Sequence, residues 1–125
     1  MPKNHEECLE ILEQLRWNGI PTCPYCGSTR ASAIKSEHRY HCHNCFTSYS
    51  VTVNTIFHKT RLGLDKWFYA IKILFLEKNK SSIRQLSKEI GVSTNTSAYL
   101  IKRINQANSH DKKIIKEIIN FIQSQ

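Results

Sequence analysis

Cys23-Pro24-Tyr25-Cys26 and, fifteen residues further on, Cys42-His43-Asn44-Cys45 decide how this chain folds. Each Cys-x-x-Cys turn holds two sulfurs about one ion's width apart. Two such turns on facing hairpins supply the tetrahedral thiolate set that zinc prefers, with sulfur about 2.3 Å from the metal. Gly27, directly after the first pair, suits the tight turn of a zinc knuckle. A redox-active Cys-x-x-Cys would need one pair in a βαβ setting, and the flanking sequence has none. An iron–sulfur cluster fits this spacing less well. Four cysteines close a tetrahedral ion and leave no position for substrate, so Cys23, Cys26, Cys42 and Cys45 are read as ligands of one structural Zn2+. His38, His41 and His43 crowd the second hairpin. With the cysteine set complete they are read as surface polar groups or donors to the ligands. So short a segment has little apolar surface of its own, and its folding is expected to be coupled to metal binding.

The fifth cysteine, Cys8, lies on the apolar face of a helix running from about His5 to Trp17, together with Ile11, Leu12 and Leu15. It reads as a small core residue. Asn4 and Glu7 have the spacing of a capping box. Gly19, Pro21 and Pro24 end that helix and open the cysteine-rich segment. Between Ala31 and Val53 short strands are expected, with Tyr49, Val51 and Val53 alternating against Ser48, Ser50 and Thr52 as in a half-buried strand. No run of apolar residues approaches the length of a membrane span, and the N-terminus lacks the apolar stretch of a secretory signal. The expected location is the cytoplasm, with no membrane partner.

Downstream the periodicity turns helical. Asp65 is placed to cap a segment from Lys66 to about Leu76 that is apolar nearly all round, as befits the centre of a small bundle. Ser82 and Gln85 open a helix to Ile90 with Ile83, Leu86 and Ile90 inward. Gly91 breaks it, and Ser93 caps a longer helix to about Ala107 whose inward stripe is Ser97, Leu100, Ile101, Ile104 and Ala107. A last helix, about Asp111 to Ile122, carries five isoleucines on one face. The short helix, Gly-containing turn and capped second helix over residues 82–107 form a helix-turn-helix pattern. Thr94, Asn95, Thr96, Tyr99, Lys102 and Arg103 face away from the stripe and are of the types that read bases and phosphates; Arg84 and Lys88 on the preceding helix suit phosphates.

The net charge of +8 is unevenly placed: residues 1–20 carry −2, residues 21–64 carry +4, residues 65–104 carry +5 and residues 105–125 carry +1. A positive field over the middle of the chain favours a polyanionic partner. The expected fold class is α+β, mostly α: an N-terminal helix (1–20), a four-cysteine zinc ribbon of short antiparallel strands (21–60) and a helical helix-turn-helix domain (61–125).

These motifs, in this order, resemble the N-terminal region of zinc-ribbon insertion-sequence transposases. The likeness runs through Glu7-Cys8-Leu9, Leu15-Arg16-Trp17, Cys23-Pro24-Tyr25-Cys26-Gly27-Ser28, Arg39-Tyr40-His41-Cys42 and Ser50-Val51-Thr52. It continues in Thr55-Ile56-Phe57-His58, Lys66-Trp67-Phe68-Tyr69-Ala70-Ile71, Gln85-Leu86, Gly91-Val92-Ser93 and Thr96, covering about residues 5–105. In that family a zinc ribbon and helix-turn-helix precede an RNase H-like domain whose acidic residues bind catalytic metals. The resemblance implies binding of double-stranded DNA, with an element's terminal repeats as target, and stops short of catalysis. After Ile104 only Asp111 and Glu117 are acidic, whereas two-metal chemistry needs several converging carboxylates. The chain is thus expected to be a truncated or stand-alone transposase-like DNA-binding protein without enzymatic activity, compatible with a homodimer. A regulatory or protein-docking zinc ribbon and the head of a longer active transposase are the competing expectations. The chain departs from the family at Tyr49, where Phe is favoured, at Asn54, where Gly is usual, and at Ser97-Ala98, where Ala-Trp is common.

Overall fold

The computed structural model describes residues 2–58, 62–76 and 83–124. Among them, five helices enclose one apolar core, and a three-stranded antiparallel sheet leans on them. Ser82 of the expected Ser82–Gln85 cap lies outside the described residues.

Helix α1 spans His5–Trp17; the Asn4 side chain accepts the Glu7 N–H at 2.9 Å. The reciprocal half of the capping box goes one residue further out, where Glu7 accepts from the Lys3 N–H at 2.7 Å. Cys8, Leu9 and Leu12 are buried in the helical core rather than in a separate N-terminal unit. Strand β1 (Ala31–Ile34) and strand β2 (Arg39–Cys42) form a hairpin around a 3-10 turn at Lys35–Glu37, and β3 (Ser48–Tyr49) pairs with β2.

The alternation through Val53 does not continue the strand. After Tyr49 the chain folds into successive turns to His58, because its hydroxyls bond locally in place of a ladder. Thr55 Oγ1 donates to the Thr52 carbonyl at 2.6 Å, and the Ser50 and Thr52 hydroxyls lie 2.8 Å apart. Asn54 takes the left-handed conformation at φ 64°. Asn tolerates this better than most residues, so the turn survives without the family's glycine.

Helix α2 spans Leu64–Leu76, so Asp65 lies inside its first turn and is not the cap. His5 Nδ1 accepts the Leu64 N–H at 2.9 Å instead, tying the helix start to α1. As its apolar surface demands, α2 packs against all four other helices. Helix α3 (Ile83–Ile90) and helix α4 (Thr94–Asn105) make the hairpin around Gly91 at φ 78°. Ser93 caps α4 by accepting the Thr96 N–H at 3.1 Å. Leu86 and Ile90 point inward as expected, whereas Ile83 is 44% exposed. Helix α5 (Ser109–Gln123) begins two residues before Asp111, because the Asn108 side chain accepts the Asp111 N–H at 2.8 Å. Ile114, Ile115, Ile118 and Ile122 on α5 are buried, with Ile119 partly so.

Candidate metal centre and nucleic-acid interface

The two knuckles repeat one backbone geometry. Gly27 N–H donates to the Cys23 carbonyl at 2.9 Å, and Phe46 N–H to the Cys42 carbonyl at 3.1 Å. Amides inside each turn aim at the first sulfur: Tyr25 N–H to Cys23 Sγ and Asn44 N–H to Cys42 Sγ, both at 3.4 Å. The four sulfurs lie within 4.8 Å of one another, with Cys23–Cys45 and Cys26–Cys42 each at 3.6 Å. A zinc tetrathiolate has edges of about 3.8 Å, so the sulfur set fits the ion with little adjustment. Among the described residues, no histidine joins this group. His43 Nε2 lies 2.6 Å from Ser32 Oγ, and the rings of His41 and Phe46 are 6.5 Å apart.

Residues 3–48 match the family described as the transposase zinc-ribbon domain. That segment is similar to transposase zinc ribbons. Over 100 residues the chain is also 32% identical to an "Uncharacterized protein in transposable element ISH50" of Halobacterium salinarum, an alignment covering 78% of this chain and 33% of the relative. The chain therefore spans about a third of that relative's length. No solved structure matches significantly. No helix among the described residues is long and apolar enough to cross a membrane.

The ribbon's zinc is structural: four thiolates complete its shell. The loaded cluster carries two negative charges, four thiolates against one Zn2+. With it, the +4 counted over residues 21–64 falls by two, which widens the lead of the +5 over residues 65–104. Amide donation from Cys45 and Asn44 pulls the Cys42 thiol down to about 6, while burial pushes Cys23 up to about 11. At pH 7 the metal-free site thus holds thiol protons that zinc must displace. Because the loaded form carries fewer protons, acid favours the empty one. Zinc affinity should fall as pH drops, with at least one proton released per ion at pH 7. Calorimetric titrations in buffers of different ionisation enthalpy would count those protons, and an equal heat in all buffers would contradict the assignment.

The ribbon is joined to the bundle by aromatic rings. Trp17 meets Tyr40 and Tyr49 edge-on at 5.7 Å each, and the two tyrosines stack at 5.8 Å. Tyr40 donates to Glu13 Oε1 at 2.5 Å; its hydroxyl is pushed up to about 12 by burial and then by that carboxylate. Arg16 reaches from α1 to the Val51 carbonyl at 2.6 Å. Its pKa is lowered by burial, against the opposing pull of Asp111. Cys8 is pushed up to about 12 by burial and by Asp65 and Glu7, which makes it the inert core thiol that its spacing indicated.

On the α3–α4 hairpin, Arg84 and Lys88 of α3 and Thr94, Asn95 and Lys102 of α4 are exposed. Thr96 is half-buried, its Oγ1 accepting from Ser93 Oγ at 2.9 Å. Tyr99 is 43% exposed, with its ring edge-on to Trp67 at 6.1 Å. Arg103 departs from the expected surface role. Its Nη2 donates to the Ile56 carbonyl at 2.8 Å, and its Nε is buried without a partner. It is a strut between α4 and the 51–58 turns. Ser97 is fully buried and donates to the Ile83 carbonyl at 2.9 Å, so the hydroxyl that replaces the family's alanine locks α3 to α4. Sequence reasoning missed Phe46, which stands at the second knuckle where Gly27 stands at the first; that mismatch was the available signal.

Proposed function

We propose that this chain binds double-stranded DNA by laying α4 in the major groove, as the recognition head of a transposase with the ends of its mobile element as target. It supplies binding and no strand-transfer chemistry of its own. The observation that carries this proposal is the exposed row Thr94, Asn95 and Lys102 on α4, opened by the Ser93 cap and flanked by Arg84 and Lys88. Short polar groups at a recognition helix's N-terminal end suit base edges, and the cations suit phosphates. The match to a transposase zinc ribbon and the relative encoded in a transposable element support it further. Two copies would suit a repeated or palindromic target, and a cytoplasmic setting gives access to it.

Lys102→Ala should weaken binding to all duplexes alike and lower the slope of log affinity against log salt by about one. Asn95→Ala should instead cost about 5- to 100-fold at preferred sites and relax base preference. Arg103→Met, acting through the strut, should lower thermal stability and leave the salt slope unchanged. Titration of labelled duplexes across a salt series reads all three. Absence of affinity for any duplex at moderate salt, the element's own ends included, would refute the proposal. Duplex affinity indifferent to Lys102→Ala would favour a ribbon that docks a protein.

A further inference from the structure

The ribbon's sheet has two unlike faces. Residues directly opposite across paired strands share a face, so Ala31 with Cys42, Ala33 with Tyr40, and Tyr49 form one, and Ala31, Cys42, Tyr40 and Tyr49 of it pack with Trp17. The other presents Ser32 opposite His41, Ile34 opposite Arg39, and His41 opposite Ser48. Arg30 precedes this row by two residues, and its carbonyl accepts the His43 N–H at 2.8 Å. Arg30, Ser32 and His43 are exposed, and Ile34, Arg39, His41 and Ser48 are half-exposed. No carboxylate stands among these residues. Glu37, the nearest in sequence, lines a pocket of about 260 Å3 toward His5 and Leu9 on the α1 side; Arg39 borders the same pocket, its guanidinium donating to Ser48 Oγ and to the Ser48 carbonyl, each at 3.2 Å, at the edge of the outer face.

Phe46 projects from the knuckle that follows β2 and is 75% exposed. It adopts φ 60°, the left-handed conformation that Gly27 takes at the equivalent place with φ 78°. A β-carbon there is disfavoured, and an exposed benzyl group adds nothing to the core. Neither backbone preference nor packing accounts for this side chain. Its ring continues a row, with His41 at 6.5 Å and His43 a further 6.2 Å on; His43 is steadied by Ser32.

The geometry points to a stacking surface for unpaired DNA bases on this outer sheet face, built from Phe46, His41 and His43 with Arg30 and Arg39 beside them. Rings in sequence on a carboxylate-free sheet offer successive bases a π-face, and nearby guanidinium groups meet the backbone. Because the loaded metal cluster is itself anionic, binding should lean on stacking more than on phosphate neutralisation, giving a shallow salt dependence. The surface lies in the ribbon and is separate from the α4 row.

The test uses the zinc-loaded full chain and a labelled oligothymidylate of about 15 nucleotides, with a random duplex of equal length alongside. Phe46→Gly should weaken oligothymidylate binding by about ten-fold, keep its zinc and melt no lower than the parent, since glycine suits φ 60°. Phe46→Trp should retain the affinity. Equal affinity of parent and Phe46→Gly for the single strand, or no binding by the parent, overturns the assignment. So does an equal loss for duplex and single strand, which would make the ring a duplex wedge. A failure of duplex binding alone bears on α4 and leaves the sheet face standing.

Discussion

Cys42→Ser should strip the zinc and unfold the ribbon, the largest effect expected of any single change. A structural zinc contributes about 10–16 kcal/mol in small domains at neutral pH, as much as the whole stability of a typical domain. The ribbon has little to set against that loss: its own buried cluster is Cys23, Cys42, Tyr49 and Val53, two of them ligands. Trp17 is the reporter, since its ring touches both Tyr40 and Tyr49. Its fluorescence should shift toward that of an exposed indole, and amide protection should vanish over residues 21–49. The far-ultraviolet helical signal should largely remain, because the helices share a separate core. A chelator should do the same to the parent protein. A Cys42→Ser protein with no zinc and an unaltered melting curve would contradict a structural role.

Trp67→Ala should destabilise the helical half by about 3–5 kcal/mol, against a total of about 5–15 kcal/mol for a domain. Trp67 is fully buried on α2, the helix that touches every other. Its ring meets Phe57 edge-on at 5.3 Å and Tyr99 at 6.1 Å. Truncation therefore opens a cavity where the 51–58 turns, α2 and α4 meet, and the rigid packing around it can collapse only in part. The melting temperature should fall by more than about 10 °C, and the duplex affinity proposed for α4 should fall with it because Tyr99 loses its support. Trp67→Phe should recover most of the stability. A thermal melt of the three proteins decides the matter, and a drop of a degree or two for alanine would show a site that readily closes up.

Both effects trace to features of different legibility. The metal site was readable because its information is local: two turns of four residues fix their own sulfurs, and the ion joins them. Helix positions were readable from apolar spacing and from caps at Asn4 and Ser93, which act within three residues. The Tyr49–Val53 alternation misled because strand pairing needs a partner strand, whereas the Thr52 and Thr55 groups found bonds inside their own turn. Asp65 misled in the same way: a cap from α1, His5, reached the helix start from 59 positions away.

By itself the sequence determined a four-cysteine zinc ribbon, the order of its helices, the basic middle and the transposase likeness, since each rests on neighbours within a turn or two of chain. Only the tertiary structure decided which cations remain at the surface. Lys102 and Arg103 are adjacent and chemically alike, yet one is exposed and the other is bound to the Ile56 carbonyl 47 residues away. It likewise decided which sheet face meets the bundle and left Phe46 in solvent. Burial is set by what the rest of the fold brings alongside a residue, and local spacing does not encode that.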